Sequence, residues 1–216
     1  MKSATTTTGG RVQEKESVLR MPTETQQIHF TKDDAGRLPA GWRTARAGKD
    51  EGSIWRVVPD DTAPSGTGFV LAQIGASPEG VFNLCLAQDT LLQDLHFRLA
   101  FKAVQGKRHQ GGGMAWRYAD PLNYYIARMD PLGGNCRIYK VAGGKRTQLA
   151  TGEKLRAAVG EWHRLRIEHE GKLIRCFFDD KPCLEVSDAT FEHPGKIGLW
   201  TSADAQTYFD DLRVEG

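Results

Sequence analysis

The stretch DLHFRLAFKAV, residues 94–104, sets Leu95, Phe97, Leu99, Phe101 and Ala103 in alternation with His96, Arg98, Ala100 and Lys102. A period of two places every large apolar group on one side of a pleated strand, whereas a helical period of 3.6 would scatter them around a cylinder. The same alternation recurs less cleanly in SIWRVV, GFVLAQ, VFNLCLA, GMAWRYA, NYYIARM, CRIYKV, EWHRLRIEHE, LIRCFF, KIGLWTS and QTYFDDLRV. Turn signals such as DPLN, DPLGGN, AGGKR, EGK and DDKP separate most of these runs. LRAAV at residues 155–159 hints at one helical turn, too short to stand alone. So many strands and so little helix predict an all-β chain: a two-sheet antiparallel jelly-roll sandwich.

With 216 residues, 39% of them hydrophobic, the chain has enough apolar surface for one large core, and a single sandwich domain over residues 27–216 is expected. Residues 1–26 are rich in Thr, Gln, Glu and Lys and read as a loosely attached tail. A formal net charge of +2 is too mild to make nucleic acid the main partner, and no apolar run is long enough to span a bilayer. No signal-peptide pattern is seen, so the compartment stays open between cytoplasm and export with the signal removed. Cys85, Cys136, Cys176 and Cys183 form no C-x-x-C pair, which speaks against zinc. RCFFDDKPCLEV reads as a hairpin turning at Asp179-Asp180, with Phe178 opposite Lys181 and Cys176 opposite Cys183. That register makes the two sulfurs neighbours and leaves a disulfide between them open.

The segments QGGGMAWRYADPLNYYIAR, RIYKVAGGKRTQLA, GEWHRLRIEHEGKLIRCFFDDKPCLEVSDATF and GKIGLWTSADAQTYFDDLRV, in that order, resemble the concanavalin A-like lectin/glucanase superfamily. Within it they are similar to the bacterial 3-keto-disaccharide hydrolase family. The resemblance runs from Phe30 to Val214 and includes AGRLPAGWR and DDTAP. It implies a jelly roll with one concave face on which relatives bind or cleave sugars. Three functions follow in order: carbohydrate binding without turnover, glycoside hydrolysis of a di- or oligosaccharide, and a non-catalytic protein-interaction or scaffolding module. Architecture alone does not choose among them.

Gly111, Gly112 and Gly113 precede a strand rather than a helix, which argues against a phosphate loop and for a bulge or a space cleared for ligand. Alternation puts Met114, Trp116 and Tyr118 opposite Ala115 and Arg117, and Tyr125, Ala127 and Met129 opposite Tyr124, Ile126 and Arg128. A sugar is recognised by flat apolar rings and directional donors, and the candidate ligand residues are Gln110, Arg117, Tyr125, Arg128, Arg137 and Lys140, with His96 and Arg98 as additions. Hydrolysis needs two carboxyl groups flanking the scissile bond. The E-x-D-x-E strand of family 16 glycoside hydrolases is missing, and Asp120 and Asp130 are the candidate catalytic carboxylates. Glu168 reads as an ion-pair partner of the neighbouring arginines, and His163 and His169 as structural. Likeness of YFDDLRV to the closing strand of family 16 enzymes implies a structural Ca²⁺ at Asp210, with no other cofactor required. The oligomeric state is open.

Overall fold

The computed structural model describes residues 25–47 and 53–216. The chain is a sandwich of two antiparallel sheets, a jelly roll without an α-helix among the described residues. The first sheet runs β13 (Lys181–Ser187), β12 (Leu173–Phe178), β11 (Trp162–Glu170), β6 (Leu95–Gln105), β15 (Gln206–Glu215), β4 (Phe69–Gln73) and β3 (Trp55–Pro59). β1 (Gln26–Ile28) pairs with the far end of β15, so β15 is bonded along both edges. The second sheet runs β10 (Lys145–Glu153), β9 (Asn135–Ala142), β8 (Asn123–Asp130), β7 (Gly112–Asp120), β14 (Lys196–Ser202), β5 (Phe82–Ala87) and β2 (Trp42–Ala47). Most of the tail expected over residues 1–26 lies outside the described residues, and Gln26 at its end already pairs with Val214.

β6 behaves as its alternation dictates. Leu95, Phe97, Leu99 and Phe101 are buried between the sheets against Leu165, Ile167, Met114, Trp116, Ala127 and Ile138. Its other side meets water and charge, with His96 beside Glu170 and Arg98 paired to Asp211. The first sheet therefore has one dry face and one wet face, as antiparallel sheets commonly do.

Two local expectations are corrected. The LRAAV segment forms no helical turn, and the sole helical element among the described residues is a 3₁₀ turn at Lys32–Asp34. The hairpin does turn at Asp179 and Asp180, whose φ angles of 46° and 62° are those of a tight two-residue hairpin loop. Phe178 faces Lys181 and Phe177 faces Pro182, but a bulge then sets Cys176 opposite Leu184. The extra residue carries Cys183 out of register, and all four cysteines are free thiols.

The sheets are also joined by a polar contact. The Trp116 Nε1–H on the second sheet donates to His169 Nδ1 on the first at 2.9 Å, and both side chains are fully buried. Burial, and next the Arg117 charge, press the His169 imidazole down from 6.5 to about 4. Between those values the unfolded chain binds a proton that the folded chain refuses, so the stability from neutral His169 is complete above about pH 6.5 and drains away as pH falls toward 4. Each pH unit of that window is worth at most about 1.4 kcal/mol. The expected result is a melting temperature that falls by roughly 5–10 °C between pH 7 and 4.5, and a His169→Gln variant with a visibly flatter profile over that interval. Thermal melts across a buffer series check it; equal slopes in both proteins refute the assignment.

Candidate functional site

The second sheet departs from the wet-face pattern. β7, β8 and β14 are buried along almost their entire length, on both faces. Met114, Trp116, Tyr125, Ala127 and Met129 belong to the inter-sheet core. On the opposite, outer face a second apolar cluster joins Leu84, Leu86, Ala115, Tyr118, Tyr124, Ile126, Tyr139, Val141 and Trp200, with Phe82 and Ala45 against it. All of these belong to the second sheet, so the cluster is not part of the core between the sheets. Phe82 stacks on Trp200 with ring centres 5.5 Å apart, and Tyr118 packs on Tyr124 at the same distance.

Cations border this aromatic floor. Arg146 lies over the rings of Phe82 and Tyr139 at 4.6 and 5.0 Å, and Arg128 over Tyr139 at 5.9 Å. Arg128 and Arg137 are direct cross-strand partners on β8 and β9. Arg128 pairs with Asp130 at 3.2 Å, and Arg137 donates to Thr151 Oγ1. Burial would raise the Tyr139 phenol pKa, but the guanidiniums of Arg137 and Arg128 outweigh it and hold the phenol below its ordinary value. Asp130 keeps one buried oxygen, Oδ1, without a partner. Two strands away, on the same face, Glu153 stands across Asn135 from Asp130.

The structure separates the sequence-derived candidates. Arg128, Arg137 and Asp130 come together on the outer face. Arg117 does not: it adopts φ 44° in a bulge between Trp116 and Asp120, so the alternation breaks, Arg117 turns inward and Tyr118 turns outward. Its guanidinium is 2% exposed and donates to Gln93 O, Phe191 O, Gly171 O and Asp94 Oδ1 at 2.6–3.2 Å. Tyr125 points into the core, stacks on Trp116 and donates to Asp188 Oδ1 at 2.6 Å; burial and that bond push its phenol up to about 12. Lys140, opposite Tyr125, gives its ammonium to the other Asp188 oxygen and to Thr190. Burial works against the Asp188 carboxylate, yet hydrogen bonds from Lys140, Thr190 and Tyr125 hold it far below the usual range. Arg117, Tyr125 and Lys140 are thus corrected from ligand contacts to ties between the sheets and their connecting loops.

Gln110 closes the loop before β7 by donating to Gly106 O. His96 and Arg98 lie on the first sheet, away from this face. Asp120 caps its turn by accepting from Leu122 N–H and Asn123, which explains it without chemistry. The glycine run is sheet architecture: a Cβ on Gly113 would strike the Ala127 carbonyl of β8, and one on Gly112 would lie 2.9 Å from the Phe209 ring. Tyr139, Arg146 and Trp200 were not among the sequence candidates. For Tyr139 the signal was present, since RIYKV places it two residues from Arg137 and so on the same side.

The sandwich thus carries an outer face on which packed rings lie beneath guanidiniums. The chain belongs to the family of 3-keto-alpha-glucoside-1,2-lyase-like domains, whose model matches residues 32–215. No curated protein matches the chain by sequence. Among solved structures it is similar to the carbohydrate-binding module CBM66 from Bacillus subtilis, at TM-score 0.64 and 20% identity, covering 82% of this chain and 96% of that one. It is also similar to the exoplasmic/lumenal domain of VIP36 in a Ca²⁺/Man-bound form (TM-score 0.60, 12% identity, 88% of each chain). A native glycosidic hydrolase gives 0.54 at 8% identity, over 90% and 96% of the two chains. At these identities the likenesses establish the fold.

Arg117→Ala should unfold the domain more easily, because three carbonyls and Asp94 lose a buried partner. A loss of about 3 kcal/mol or more lowers the melting temperature by roughly 6–12 °C. Arg137→Ala, at a half-exposed site, should stay within about 2 °C of the parent in the same thermal scan.

Proposed function

We propose that this domain binds a saccharide on the outer face of its second sheet, with the half-buried Phe82 ring as the apolar contact, backed by the buried Trp200 and Tyr139, and with Arg128, Arg137 and Arg146 as hydroxyl-directed donors. The observation that carries the reading is the second apolar cluster: aromatic rings on the side of the sheet that faces away from the core, bordered by guanidiniums. An antiparallel sheet has no need of a second dry face for stability alone, and an apolar patch with a few convergent donors is what ligand sites share. A pyranose offers a C–H surface to a ring and hydroxyls around its edge, and this arrangement meets both. The family description and the CBM66 and VIP36 likenesses support the same ligand class.

Turnover is the second reading, supported by Asp130. It is the carboxylate on this face that keeps an unpartnered buried oxygen, and Glu153 lies two strand spacings away, about 10 Å. That backbone separation lies just beyond the roughly 6.5–9.5 Å between carboxyl groups in an inverting glycosidase, so Asp130 is the carboxylate that carries this reading. For a 3-keto glucoside undergoing 1,2-elimination, one carboxylate suffices: the ketone acidifies the neighbouring C2–H, Asp130 takes that proton, the freed electron pair forms the C1=C2 double bond, and the C1–O bond breaks with its oxygen taking up a proton from Asp130 or water.

Thermal shift and product analysis against a panel of di- and oligosaccharides, including 3-keto sugars, test both. A stabilising ligand is expected for the parent, with the shift lost in Arg137→Ala and Arg128→Ala while their unliganded melting temperatures hold. If the domain is an enzyme, Asp130→Asn retains the shift and loses at least about 100-fold in product formation. A ligand shift that survives both arginine variants, or silence across the panel, overturns the sugar site.

A structural Ca²⁺ belongs to the same reading. Asp210 on β15 is fully buried; one oxygen accepts from Ser65 N–H at 2.8 Å and the other, Oδ1, is unpartnered. That orphaned oxygen fits a cation ligand, with carbonyls of the 60–68 loop to complete the six or more oxygens calcium takes. Its role there is to brace the loop against β15. Adding chelator should lower the parent melting temperature by several degrees and leave Asp210→Asn unmoved; identical responses in differential scanning calorimetry remove calcium from the account.

A further inference from the structure

Three of the four cysteines meet at one end of the core, although they are 40 and 7 residues apart in the chain. Cys136 comes from β9 of the second sheet, and Cys176 and Cys183 from β12 and β13 of the first. Their sulfurs lie within 4.8 Å of one another, and Cys136 and Cys176 are 3.6 Å apart. We propose that Cys136, Cys176 and Cys183 form a three-thiolate site for a soft d¹⁰ cation of the Zn²⁺/Cd²⁺ class, which links the two sheets at their β9–β13 end.

The geometry favours a cation over the alternatives. Three sulfurs around a metal with bonds of about 2.3 Å stand about 4 Å from one another, so closing the observed cluster around an ion needs movements of no more than about 1 Å. A disulfide needs about 2.05 Å, which no pair here approaches, and it would strand the third thiol. Simple apolar packing explains Cys85, which is alone in the core, but not a convergence of three sulfurs from two sheets.

Access and charge agree. Cys136 and Cys176 are buried, whereas Cys183 is half-buried and lines a cleft of about 290 Å³ together with Lys154, Arg156 and Lys181. Cys183 is therefore the sulfur that an incoming ion meets first. Binding a divalent cation replaces three S–H protons, which leave for solvent, and the resulting complex carries one negative charge. Lys154, Arg156 and Lys181 at the cleft supply the opposite charge, with Asp179 the acidic residue among them. The fourth coordination position faces that cleft, where water completes a tetrahedron.

The test is a titration of the reduced, metal-free full-length protein with Cd²⁺. An ultraviolet thiolate-to-cadmium charge-transfer band should saturate at one equivalent per chain, with proton release in weak buffer and a raised melting temperature, and the same band should grow in as Cd²⁺ displaces Zn²⁺ bound beforehand. Cys183→Ser, at a half-exposed position the fold tolerates, should weaken Cd²⁺ binding by more than about 100-fold, while Cys85→Ser leaves it unchanged. Three results overturn the proposal: no band at one equivalent, a band that persists in Cys183→Ser, or mass spectrometry showing any two of these cysteines disulfide-bonded in protein purified without reductant.

Discussion

The second sheet must be dry on both sides, and most of the molecule follows from that constraint. Its central strands β7, β8 and β14 cannot alternate apolar with polar residues, because one set of side chains builds the inter-sheet core and the other builds the outer cluster of Tyr118, Tyr124, Ile126 and Trp200. Charge is thereby pushed to the borders, where Arg128, Arg137 and Arg146 lie over or beside rings and not in the open. The first sheet follows the ordinary rule, with arginines and carboxylates paired across its wet face.

A single backbone irregularity decides which residues reach that face. At Arg117 the chain enters the left-handed region, which spends conformational energy to reverse the pleat. Tyr118 moves outward to join the rings, and Arg117 swings in to gather carbonyls from the 92–94 and 190–195 segments and from the β11–β12 turn. Gly195 makes room for the reversal, since a Cβ there would collide with the Arg117 backbone. The bulge thus couples the composition of the outer apolar face to the anchoring of loops on the other sheet.

These two facts explain what the sequence could and could not reveal. β6 and the hairpin at Asp179-Asp180 were legible because alternation and turn chemistry are local. β2 and β10 gave no clear signal: they are edge strands with exposed side chains, so no dry face imposes a pattern on WRTARA or KRTQLATGE. Pleat counting put Arg128 on the side of Tyr124 and Ile126, where it lies. It misplaced Arg117, because a bulge shifts the count by one and leaves no mark in residue type. Tyr125 and Lys140 defeat sequence reasoning differently. They look like ligand groups, yet their partner Asp188 lies on a distant segment that only the folded chain brings near.

β15, the last strand of this sandwich in chain order, sits in the middle of the first sheet, hydrogen-bonded to β6 along one edge and to β4 and β1 along the other. Strands made early must therefore wait for the final segment before that sheet can close, while the second sheet lacks only β14 until the same late moment. Vectorial synthesis leaves a long interval in which β6 exposes unpaired backbone. A domain without β15 would be not a trimmed sandwich but an open, adhesive one.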